Sequence, residues 1–401
     1  MSAIESFDVV VVGGGPAGAT AAADLARSGV HVCLIDRAGR IKPCGGAIPP
    51  RLVKDFDIPQ HLLVAHVKSA RMVAPSELSV DMPIDGGYVG MVDREVFDEW
   101  LRERAAQAGA VRRTGTFEAL ERDADGTTVV WREGGDERRV RARAVIGADG
   151  ARSKVARAAR IPGADKIPCV YAYHEIVRSP AGEASGAFDG TRCDVYYQGK
   201  LSPDFYAWIF PHGETTSVGV GSARKGFSLR RSVDRLRASA ALDGCETVRR
   251  EGAPIPLKPL KRWDDGRDVV LAGDAAGVVA PASGEGIYYA MYTGRVAAEA
   301  VGAYLATGDA KALATARRTF QKAHGRVFTV LGLMQWFWYR SDRFRERFVL
   351  ICRDPDVQRL TWQAYMNKEL VRRDPMAHVR VFFKDLAHVF RLAAPPRGSD
   401  G

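Results

Sequence analysis

A short valine run followed by three spaced glycines constrains this chain more than any other stretch of its sequence. The run, Val9 to Val12, has the β-branched composition of a strand that is buried on both faces. An alanine-rich segment, Ala17 to Ser28, predicts a helix, and residues 30–35 predict a second buried strand that leads into Asp36. The turn between the first strand and the helix has a GxGxxG pattern, formed by Gly13, Gly15 and Gly18. This order, with an acid about 20 residues after the glycines, predicts a dinucleotide-binding βαβ unit.

Each residue of this pattern has a physical reason to be there. Gly13 permits the tight turn, Gly15 lets a pyrophosphate approach the backbone, and Gly18 lets the helix and the strand pack closely. The amino terminus of the helix then faces the phosphates, and Asp36 is placed to bind a ribose hydroxyl. The alternative is a glycine-rich turn in a βαβ unit that binds no nucleotide.

The length and cysteine usage of the chain limit its class. A chain of 401 residues can hold two domains or one large domain with insertions. No run reaches the roughly 18 apolar residues that a membrane-spanning helix needs, and the amino terminus has no apolar signal core. Six scattered cysteines without a CxxC pair fit a reducing compartment and predict neither a disulfide framework nor a zinc site. We therefore expect a cytoplasmic protein that binds no metal.

The chain is basic, with a formal net charge of +10 and a pI of about 9.4. A basic balance is compatible with a nucleic acid, an anionic membrane or a phosphorylated substrate as the partner. The arginines are dispersed among acids and form no dense run, so we expect no nucleic-acid partner.

A loop rich in proline and glycine, Ile41 to Arg51, follows the second predicted strand. Its composition forbids a long helix, and it holds Cys44 between Pro43 and the Gly45–Gly46 pair. Two adjacent glycines after a cysteine predict that the backbone closely approaches a flat group. The alternative is a plain turn with a buried thiol.

An arginine at the start of a predicted helix is a further candidate for a ligand contact. Residues 67–92 alternate apolar and polar side chains, which predicts strands with one exposed face. Asp93 then caps a helix whose first turn contains Arg94, where the helix dipole disfavours a cation. This position indicates an anion or a ligand beside Arg94, and the alternative is an arginine in solvent.

Two later strands also end in an acid beside a glycine. Residues 144–148 predict a buried strand that is followed by Asp149, and residues 269–272 predict another that ends at Gly273 and Asp274. Ligands of open α/β sheets rest at the carboxyl ends of the strands. These two acids therefore indicate further parts of the same ligand site.

A glycine-rich bend precedes a long alanine-rich helix near the end of this region. Gly284 and Gly286 come immediately before the predicted start of the helix at Ile287. A bend of this kind offers backbone N–H groups to an electron-rich ligand.

The middle of the chain changes character. Strand-like runs dominate residues 166–262, with one helix predicted at about Leu229 to Ser239. This pattern predicts an antiparallel sheet domain inserted after the nucleotide-binding half. Four aromatic side chains are expected to line both faces of one strand: Phe205, Tyr206, Trp208 and Phe210. They form either ordinary core packing or the wall of an apolar ligand cavity.

The remaining residues, 309–401, are mostly helical and basic in pattern. The most apolar window, Val327 to Tyr339, is too short to span a bilayer. It can close a substrate tunnel, or lie on a membrane surface with Arg326 and Arg340 at the headgroups. The third reading is an ordinary core helix.

Taken together in chain order, the glycine motifs resemble the FAD-binding set of the flavoprotein family that includes the aromatic hydroxylases. The resemblance implies that the first motif holds the ADP part, and that Asp149 lies near the pyrophosphate and NADPH. It also implies that Asp274 contacts the ribityl chain, that the later glycines approach the isoalloxazine, and that Arg94 contacts the flavin. The FAD-binding residues implied are Gly13, Gly15, Pro16, Ala17, Gly18, Asp36, Arg37, Cys44, Gly45, Gly46, Ala47, Arg94, Asp149, Gly273, Asp274, Gly284, Gly286 and Ile287.

Within that family the chain is similar to the geranylgeranyl reductases of chlorophyll and bacteriochlorophyll synthesis. The Cys44 loop resembles their loop at the flavin, and a YxWxFP…GxG signature implies a substrate site. The residues of that signature are Tyr206, Trp208, Phe210, Pro211, Gly219 and Gly221. We expect an α/β fold with an FAD-binding Rossmann-like domain, an inserted antiparallel sheet domain for the substrate, and a helical C-terminal region. The three parts are expected at residues 1–70, 93–165 and 263–308, at residues 71–92 and 166–262, and at residues 309–401.

The resemblance implies an FAD-dependent reductase that saturates isolated double bonds of a geranylgeranyl chain to give phytyl, with NADPH or another reductant as electron donor. The chain is either esterified to (bacterio)chlorophyllide or carried as the diphosphate. Cys44 is the candidate proton donor by its location, although a role in shaping the loop is equally open. Two alternatives remain: a flavin monooxygenase that acts on an aromatic or quinone, and a non-catalytic flavin-binding partner of a membrane assembly.

Overall fold

The structure is a computed structural model that describes residues 4–37, 39, 41–123, 126–180, 184–185 and 188–368. The helical pattern expected of residues 369–401 lies outside these residues, as does Asp125 of the turn between two predicted strands. In the remainder of the chain the sequence expectations can be compared with the structure.

Nineteen strands account for the sheets of the described residues. In chain order they are β1 (Ser6–Val12), β2 (Val32–Asp36), β3 (Ala47–Ile48), β4 (Leu63–Val67), β5 (Ser69–Val73), β6 (Ser79–Pro83), β7 (Val89–Val92), β8 (Val111–Thr114), β9 (Thr116–Asp123), β10 (Gly126–Glu133), β11 (Asp136–Gly147), β12 (Cys169–Arg178), β13 (Ala184–Ser185), β14 (Phe188–Asp189), β15 (Arg192–Tyr196), β16 (Ala207–His212), β17 (Thr215–Ser222), β18 (Thr247–Pro256) and β19 (Val269–Leu271).

Nine α-helices lie between and after these strands in the described residues. They are α1 (Pro16–Arg27), α2 (Pro50–Asp55), α3 (Arg94–Gln107), α4 (Lys154–Ala158), α5 (Leu229–Ser239), α6 (Ile287–Thr307), α7 (Thr315–Trp338), α8 (Asp342–Ile351) and α9 (Pro355–Asn367). Short 3-10 turns occur at Gln60–Leu62, Gly273–Ala276 and Ala310–Ala314.

The first large sheet is the predicted nucleotide-binding sheet. Its strand order is β8-β2-β1-β11-β10-β9, and β19 also pairs with β11. The pairs β1–β2, β2–β8, β1–β11 and β11–β19 are parallel, whereas β9, β10 and β11 form an antiparallel meander. The carboxyl ends of β1, β11 and β19 therefore meet at one edge, which is where a ligand of such a sheet binds.

A close contact between two helices fixes the layer beside this sheet. A Cβ built at Gly294 of α6 would lie 2.2 Å from the carbonyl oxygen of Ala17 in α1. Only glycine leaves room for the two backbones to approach this closely. The sequence pattern predicted both helices, with α6 beginning at Ile287 as expected.

The second large sheet carries the aromatic strand. Its order is β18-β12-β17-β16-β15-β5-β6, and every pair is antiparallel except β15–β5, which is parallel. The predicted antiparallel sheet is thus present, with one parallel pair, β15–β5, where a strand from an earlier part of the chain joins it. Helix α5 covers one face of this sheet, where Val233 and Leu236 pack on strand residues such as Val218.

Of the strands within residues 67–92, β5 and β6 join that sheet and β7 does not. Strand β7 pairs with β3 and β4 in a separate three-stranded sheet. This small sheet lies between the Cys44 loop and the aromatic strand. The domain boundaries given above stay a prediction. The α/β class with a helical C-terminal region is confirmed by the sheets and by α7 to α9.

Candidate active site

The turn after β1 is held in shape by close contacts at its outer glycines. Gly13 has a φ of +103°, and a Cβ there would lie 2.3 Å from the Ala148 carbonyl oxygen at the end of β11. A Cβ at Gly18 would lie 1.8 Å from the carbonyl oxygen of Gly13. By contrast, a Cβ at Gly15 would meet no atom within 4 Å. The two outer glycines are thus required by the protein itself, and Gly15 faces open space at the start of α1.

Asp36 lies at the end of β2, beside this turn. A Cβ at Gly14 would come within 2.8 Å of its carboxylate, so the acid stands directly against the glycine turn. Arg102 of α3 donates to Asp36 Oδ2 at 3.2 Å and to the Gly14 carbonyl oxygen at 3.3 Å. The neighbouring Arg37 is exposed. The acid is therefore oriented by an arginine from a third segment, which sequence reasoning did not find.

Asp149 follows β11 and caps the short helix α4. Its Oδ2 accepts the backbone N–H groups of Lys154 at 2.6 Å and Val155 at 3.2 Å. Burial raises the pKa of this carboxyl, and its Oδ1 has no hydrogen-bond partner among the described residues. One oxygen thus serves the fold, while the other is buried without a hydrogen-bond partner among the described residues.

The acid of the third motif faces the Cys44 loop. Asp274 is buried, and its carboxylate forms an ion pair with Lys42. Gly273 before it has a φ of +61°, and its N–H donates to Thr293 Oγ1 at 2.8 Å. The pairing brings the loop after β2 and the end of β19 together at one place.

The two glycines after Cys44 lie against rings of the protein itself, and their contact with a cofactor stays a prediction. A Cβ at Gly45 would lie 2.9 Å from the ring of Phe210. Gly46 has a φ of +70°, and a Cβ there would lie 2.5 Å from Nε2 of His212. The loop therefore rests directly on strand β16.

Arg94 is buried, so the alternative of an arginine in solvent is wrong. Its guanidinium makes a double hydrogen bond to Asp98, at 2.8 and 2.7 Å, and it faces Cys44. Burial alone would lower the pKa of Arg94, but the Asp98 carboxylate outweighs this and keeps the pKa above its ordinary value. A permanent cation thus stands beside the Cys44 thiol at the start of α3.

The Cys44 loop, Arg94 and Asp274 border one continuous cavity of about 400 Å³, here called the main cavity. The predicted cofactor residues that do not line it are Gly13, Gly15, Ala17, Gly18, Asp36, Arg37, Asp149 and Gly273. Its volume is within the range of small-molecule sites. The end nearest the first sheet is lined by Pro16, Lys42, Cys44, Gly45, Gly46, Ala47, Arg94, Asp274, Gly284, Gly286 and Ile287. The Cys44 loop, Arg94, Asp274 and the bend at Gly284 to Gly286 therefore share a single space with Pro16, and their binding of a cofactor stays a prediction.

The aromatic side chains of the second sheet form the next wall of the main cavity. Tyr206, Trp208 and Phe210 alternate along β16 and the residue before it, and all three line the cavity. Phe205 does not, because it is fully buried under the ring of Tyr206 at 4.2 Å between ring centroids. The expectation that the four rings line both faces of one strand is thus wrong: three share the cavity face, and Ile209 points into the opposite core.

The remaining residues of the predicted substrate signature lie behind these rings. A Cβ at Gly219 would lie 2.2 Å from the ring of Trp208, and one at Gly221 would lie 2.6 Å from Phe205. Pro211 directly follows Phe210 in β16, so the alternation of side chains along the strand places it on the face opposite the cavity. Because Gly219 and Gly221 lack side chains, the aromatic rings have room to pack against them. Direct contact of Pro211, Gly219 and Gly221 with substrate stays a prediction.

Helices α7, α8 and α9 close the far end of the main cavity. The lining side chains of α7 and the residue after it are Leu331, Met334, Trp338 and Tyr339. Those of α8 and α9 include Phe348, Ile351, Trp362 and Tyr365. The apolar window at residues 327–339 therefore forms part of a tunnel wall. Its opposite side is open: Leu333 and Trp336 are 62% and 66% exposed.

A buried ion pair connects the end of α9 to the glycine bend before α6. Lys368 Nζ pairs with the Glu285 carboxylate, and both side chains are almost fully buried. Tyr365 lies over the ammonium group at 3.9 Å from the ring centroid. Burial raises the pKa of Glu285 and lowers that of Lys368, and their attraction opposes both shifts.

Sequence reasoning missed Lys42, His174, Glu285 and Lys368. Lys42 and Glu285 stand inside motifs that were recognised, so their position was a usable signal. His174 and Lys368 reach the site only through the pairing of β12 with β17 and the packing of α9, which no local pattern shows.

This chain is similar to known proteins in both sequence and structure. A family model described as "Lycopene cyclase protein" matches residues 8–167. The geranylgeranyl diphosphate reductase of Rhodobacter capsulatus is 57% identical over 391 residues, which cover 97% of this chain and 99% of that protein.

Solved structures match over nearly the whole chain. A geranylgeranyl bacteriochlorophyll reductase-like protein from Thermoplasma acidophilum superposes with a TM-score of 0.79 at 22% identity, covering 94% of this chain and all of that one. A flavin-dependent brominase superposes with a TM-score of 0.71 at 17% identity, covering 96% and 99%. At these identities the likeness concerns the fold.

Proposed function

Because this chain belongs to the family of the geranylgeranyl diphosphate reductases, we propose that it is an FAD-dependent reductase of (bacterio)chlorophyll synthesis. It saturates isolated C=C bonds of a geranylgeranyl chain to give phytyl. The observation that carries this proposal is the main cavity, which runs from the predicted cofactor residues to an apolar wall of aromatic side chains. An alkene offers no polar group to recognise, so such a wall is the recognition that it needs.

The residues of the glycine turn and of the cavity end beside it fit FAD. Gly15 leaves open space at the start of α1, Asp36 stands beside the turn, and Asp149 follows β11 with a buried Oδ1 that has no hydrogen-bond partner among the described residues. Asp274 and the bend at Gly284 to Gly286 continue this line into the cavity. Bound there and reduced by the electron donor, the flavin would supply the hydride that the reduction consumes.

The protein itself has to exclude water, orient the alkene and supply a proton. An unconjugated alkene accepts hydride poorly, so a proton must reach one carbon of the double bond while hydride reaches the other. Cys44 lines the cavity beside Arg94, and it is the proposed proton donor. Tyr206 is the second candidate, but its hydroxyl already donates to the Ser283 carbonyl oxygen at 2.6 Å.

The proposal also includes the electron donor and the form in which the substrate is carried. NADPH is the expected donor, although the sequence contains no second strand-linked GxGxxG for it. The geranylgeranyl chain is either esterified to (bacterio)chlorophyllide or carried as diphosphate.

A peripheral association with membranes is also proposed. No helix in the described part of the chain has the length and hydropathy of a bilayer span. The outer side of α7 exposes Leu333 and Trp336, and the guanidinium of Arg340 lies 5.5 Å from the Trp336 ring centroid. An apolar helix face flanked by arginines binds anionic bilayers in the interfacial plane. A substrate as apolar as a prenyl chain would reach the enzyme from such a surface.

Liposome flotation tests this surface. We expect binding to anionic liposomes at low salt, with the electrostatic part weakening as salt rises. Leu333→Glu should reduce binding, while the matched change Val96→Glu, at an exposed residue of α3, should leave it unaltered. No binding of the parental protein at low salt would reject the association.

The proposed reaction is tested by anaerobic incubation of the purified, FAD-loaded protein with a reductant and geranylgeranyl substrates, followed by mass spectrometry. We expect products that are heavier by two hydrogens for each bond saturated. Both the diphosphate and the esterified substrate are supplied, and NADPH is compared with dithionite. Oxygen-dependent hydroxylation without saturation would favour the monooxygenase alternative, which the full-length match to a reductase argues against. A purified protein that binds no flavin, even after FAD is added, would end the proposal.

A further inference from the structure

Three arginines lie together where helix α7 is followed by α8. Arg340 stands in the turn between the two helices, and Arg343 and Arg347 are four residues apart on α8. Residues at this spacing share one face of a helix. The guanidinium carbons of Arg340 and Arg347 lie 4.2 and 5.9 Å from the ring centroid of Phe344. Arg340, Arg343 and Arg347, here called the arginine cluster, therefore form one cationic group beside that ring.

The acids of α8 do not neutralise the arginine cluster, because both have other partners. Asp342 accepts hydrogen bonds from the guanidinium of Arg345 at 2.7 Å and from the N–H of Gly199 at 2.8 Å. Glu346 accepts from the hydroxyl and the N–H of Ser76, at 2.6 and 3.0 Å. Among the residues that the structure describes, no carboxylate forms an ion pair with the cluster. Its positive charge is thus left for a ligand.

Arg347 differs from the other buried arginine of the same helix. Arg345 has the usual partners of a buried guanidinium: it donates to Asp342 and to the carbonyl oxygens of Pro203 and Tyr339. Arg347 is only 8% exposed, yet its guanidinium has no hydrogen-bond partner in the described part of the chain. A buried charge without a partner is unfavourable, and native structures rarely contain one without a reason. Binding of an anion gives Arg347 such a reason.

The arginine cluster lies between two apolar surfaces. On the inner side, the Phe344 ring lies 6.5 Å from the ring of Trp338, measured between centroids, and Trp338 lines the main cavity. On the outer side, the guanidinium of Arg340 lies 5.5 Å from the ring centroid of Trp336, on the exposed face of α7. An anion bound by the cluster would therefore sit close to the place of an apolar chain.

The chemistry of this site fits a phosphate group on an apolar chain. Guanidinium groups bind phosphate oxygens by paired, charge-assisted hydrogen bonds. We propose that the arginine cluster is a phosphate-binding site at the α7–α8 end of the main cavity. This inference rests on the proposed reductase function. Two sources carry the required chemistry: the diphosphate of the geranylgeranyl substrate and the headgroup of an anionic phospholipid.

A diphosphate held by the arginine cluster would limit how deeply a prenyl chain enters. The charged head stays out of the apolar cavity, because its transfer there is strongly unfavourable. The chain then runs from α7 and α8 toward the Cys44 loop at the other end of the cavity. The double bond next to the head lies farthest from that loop, and phytyl is the product that keeps this double bond.

The test measures binding of inorganic pyrophosphate to the purified, FAD-loaded protein by titration calorimetry, without reductant. The double variant Arg340→Gln/Arg343→Gln is compared with Arg230→Gln/Arg231→Gln, which removes the same charge from α5. All four residues are exposed, so we expect both proteins to fold. We expect the first variant to bind pyrophosphate more weakly by roughly tenfold or more, the usual effect of losing charged hydrogen bonds, and the second to bind like the parental protein.

The buried member of the cluster is tested by Arg347→Lys, which keeps the charge but loses the planar fork. We expect its pyrophosphate affinity to fall between those of the parental protein and the double variant. Pyrophosphate that does not bind the parental protein, or that binds the double variant and the α5 control equally well, would overturn the site.

Two further measurements with the double variant and the α5 control separate the two phosphate sources. A KM for geranylgeranyl diphosphate in detergent that rises only in the double variant identifies the substrate. Weaker flotation with phosphatidylglycerol vesicles in the double variant, without that rise in KM, identifies the lipid headgroup. If the parental protein reduces no alkene while the double variant still loses pyrophosphate binding, the proposed function fails and the phosphate site stands. Alkene reduction without pyrophosphate binding has the opposite meaning.

Discussion

The nucleotide end and the cavity end of this molecule are built in opposite ways. The turn after β1 consists of residues adjacent in the chain, and its shape is set by backbone atoms: a Cβ at Gly18 would overlap the Gly13 carbonyl oxygen. The cavity wall is formed by side chains from β16, α7, α8 and α9, which are far apart in the sequence. Substitutions that add atoms at the close backbone contacts of the turn should be poorly tolerated. Substitutions in the cavity wall change the volume that side chains fill, and neighbouring side chains can partly compensate. The following predictions probe this difference.

The largest effect is expected where backbone meets backbone. Gly18→Ala would place a methyl carbon 1.8 Å from the Gly13 carbonyl oxygen, so α1 must move away from β1. We expect a loss of about 3 kcal/mol in the free energy of unfolding and no bound FAD. Urea unfolding and the flavin absorbance of the purified protein measure these.

Gly15→Ala is the matched control for this change. Its Cβ would enter open space, so we expect parental stability with weaker FAD binding. A Gly18→Ala protein with parental stability and full flavin content would contradict the contrast between the two ends.

The next effect concerns the boundary between the two regions. Cys44→Ser keeps the size of the side chain nearly fixed but replaces the thiol with a far weaker acid. We expect the variant to retain FAD and to accept electrons, while reoxidation by the geranylgeranyl substrate slows by roughly 100-fold or more. Stopped-flow absorbance separates the two half-reactions. The same change at half-buried Cys245, away from the cavity, should leave both rates alone, and a parental reoxidation rate in Cys44→Ser would remove Cys44 from the mechanism.

A third test concerns the join between α6 and α7. His324 of α7 is buried among Tyr289, Tyr292 and Phe320, and burial lowers its pKa from 6.5 to about 4. The unfolded chain therefore takes up a proton first as the pH falls. The stability contributed by the neutral ring is complete above about pH 6.5 and is lost progressively toward pH 4. At pH 5 the loss is roughly 2 kcal/mol.

This pH dependence is read from unfolding curves at pH 7 and pH 5. We expect His324→Leu to lose less stability between the two pH values than the parental protein does. His61→Leu, at an exposed histidine, should keep the parental difference. An unchanged acid sensitivity in His324→Leu would mean that α7 is not held in the way described.

The smallest effect is expected at the aromatic wall, because neighbouring side chains can partly fill a void. Trp208→Ala should raise KM by about tenfold, or stop reduction before all bonds are saturated. Ile209→Ala is the control, since Ile209 packs on the opposite face of the same strand. It should lower stability without changing KM. If Trp208→Ala also lowers stability and leaves KM and the products parental, the ring belongs to core packing alone.

The same contrast explains what could be predicted from sequence. The βαβ unit, the acid at Asp36 and the start of α6 follow from local spacing, and the structure has all three where they were expected. Which of these aromatic side chains face the cavity depends on where β16 begins. The strand begins at Ala207, after Phe205, and the sequence alone does not show this. Lys368 and His174 had no local signal at all, because their positions depend on tertiary packing.

The ion pair between Lys368 and Glu285 has a consequence for how long a product stays bound. The cavity walls include strands of the second sheet and α7, whereas α9 is the last helix of the described residues, and Lys368 directly after it makes this pair. Transfer of a saturated prenyl chain from an apolar cavity into water is unfavourable. Its release therefore requires a segment of the cavity wall to move and an apolar surface, such as a membrane, to take up the chain. We expect the residence time of phytyl product to be set by the opening of α9, beside the exposed face of α7. Product dissociation that is no faster in Lys368→Met than in the parental protein would contradict this.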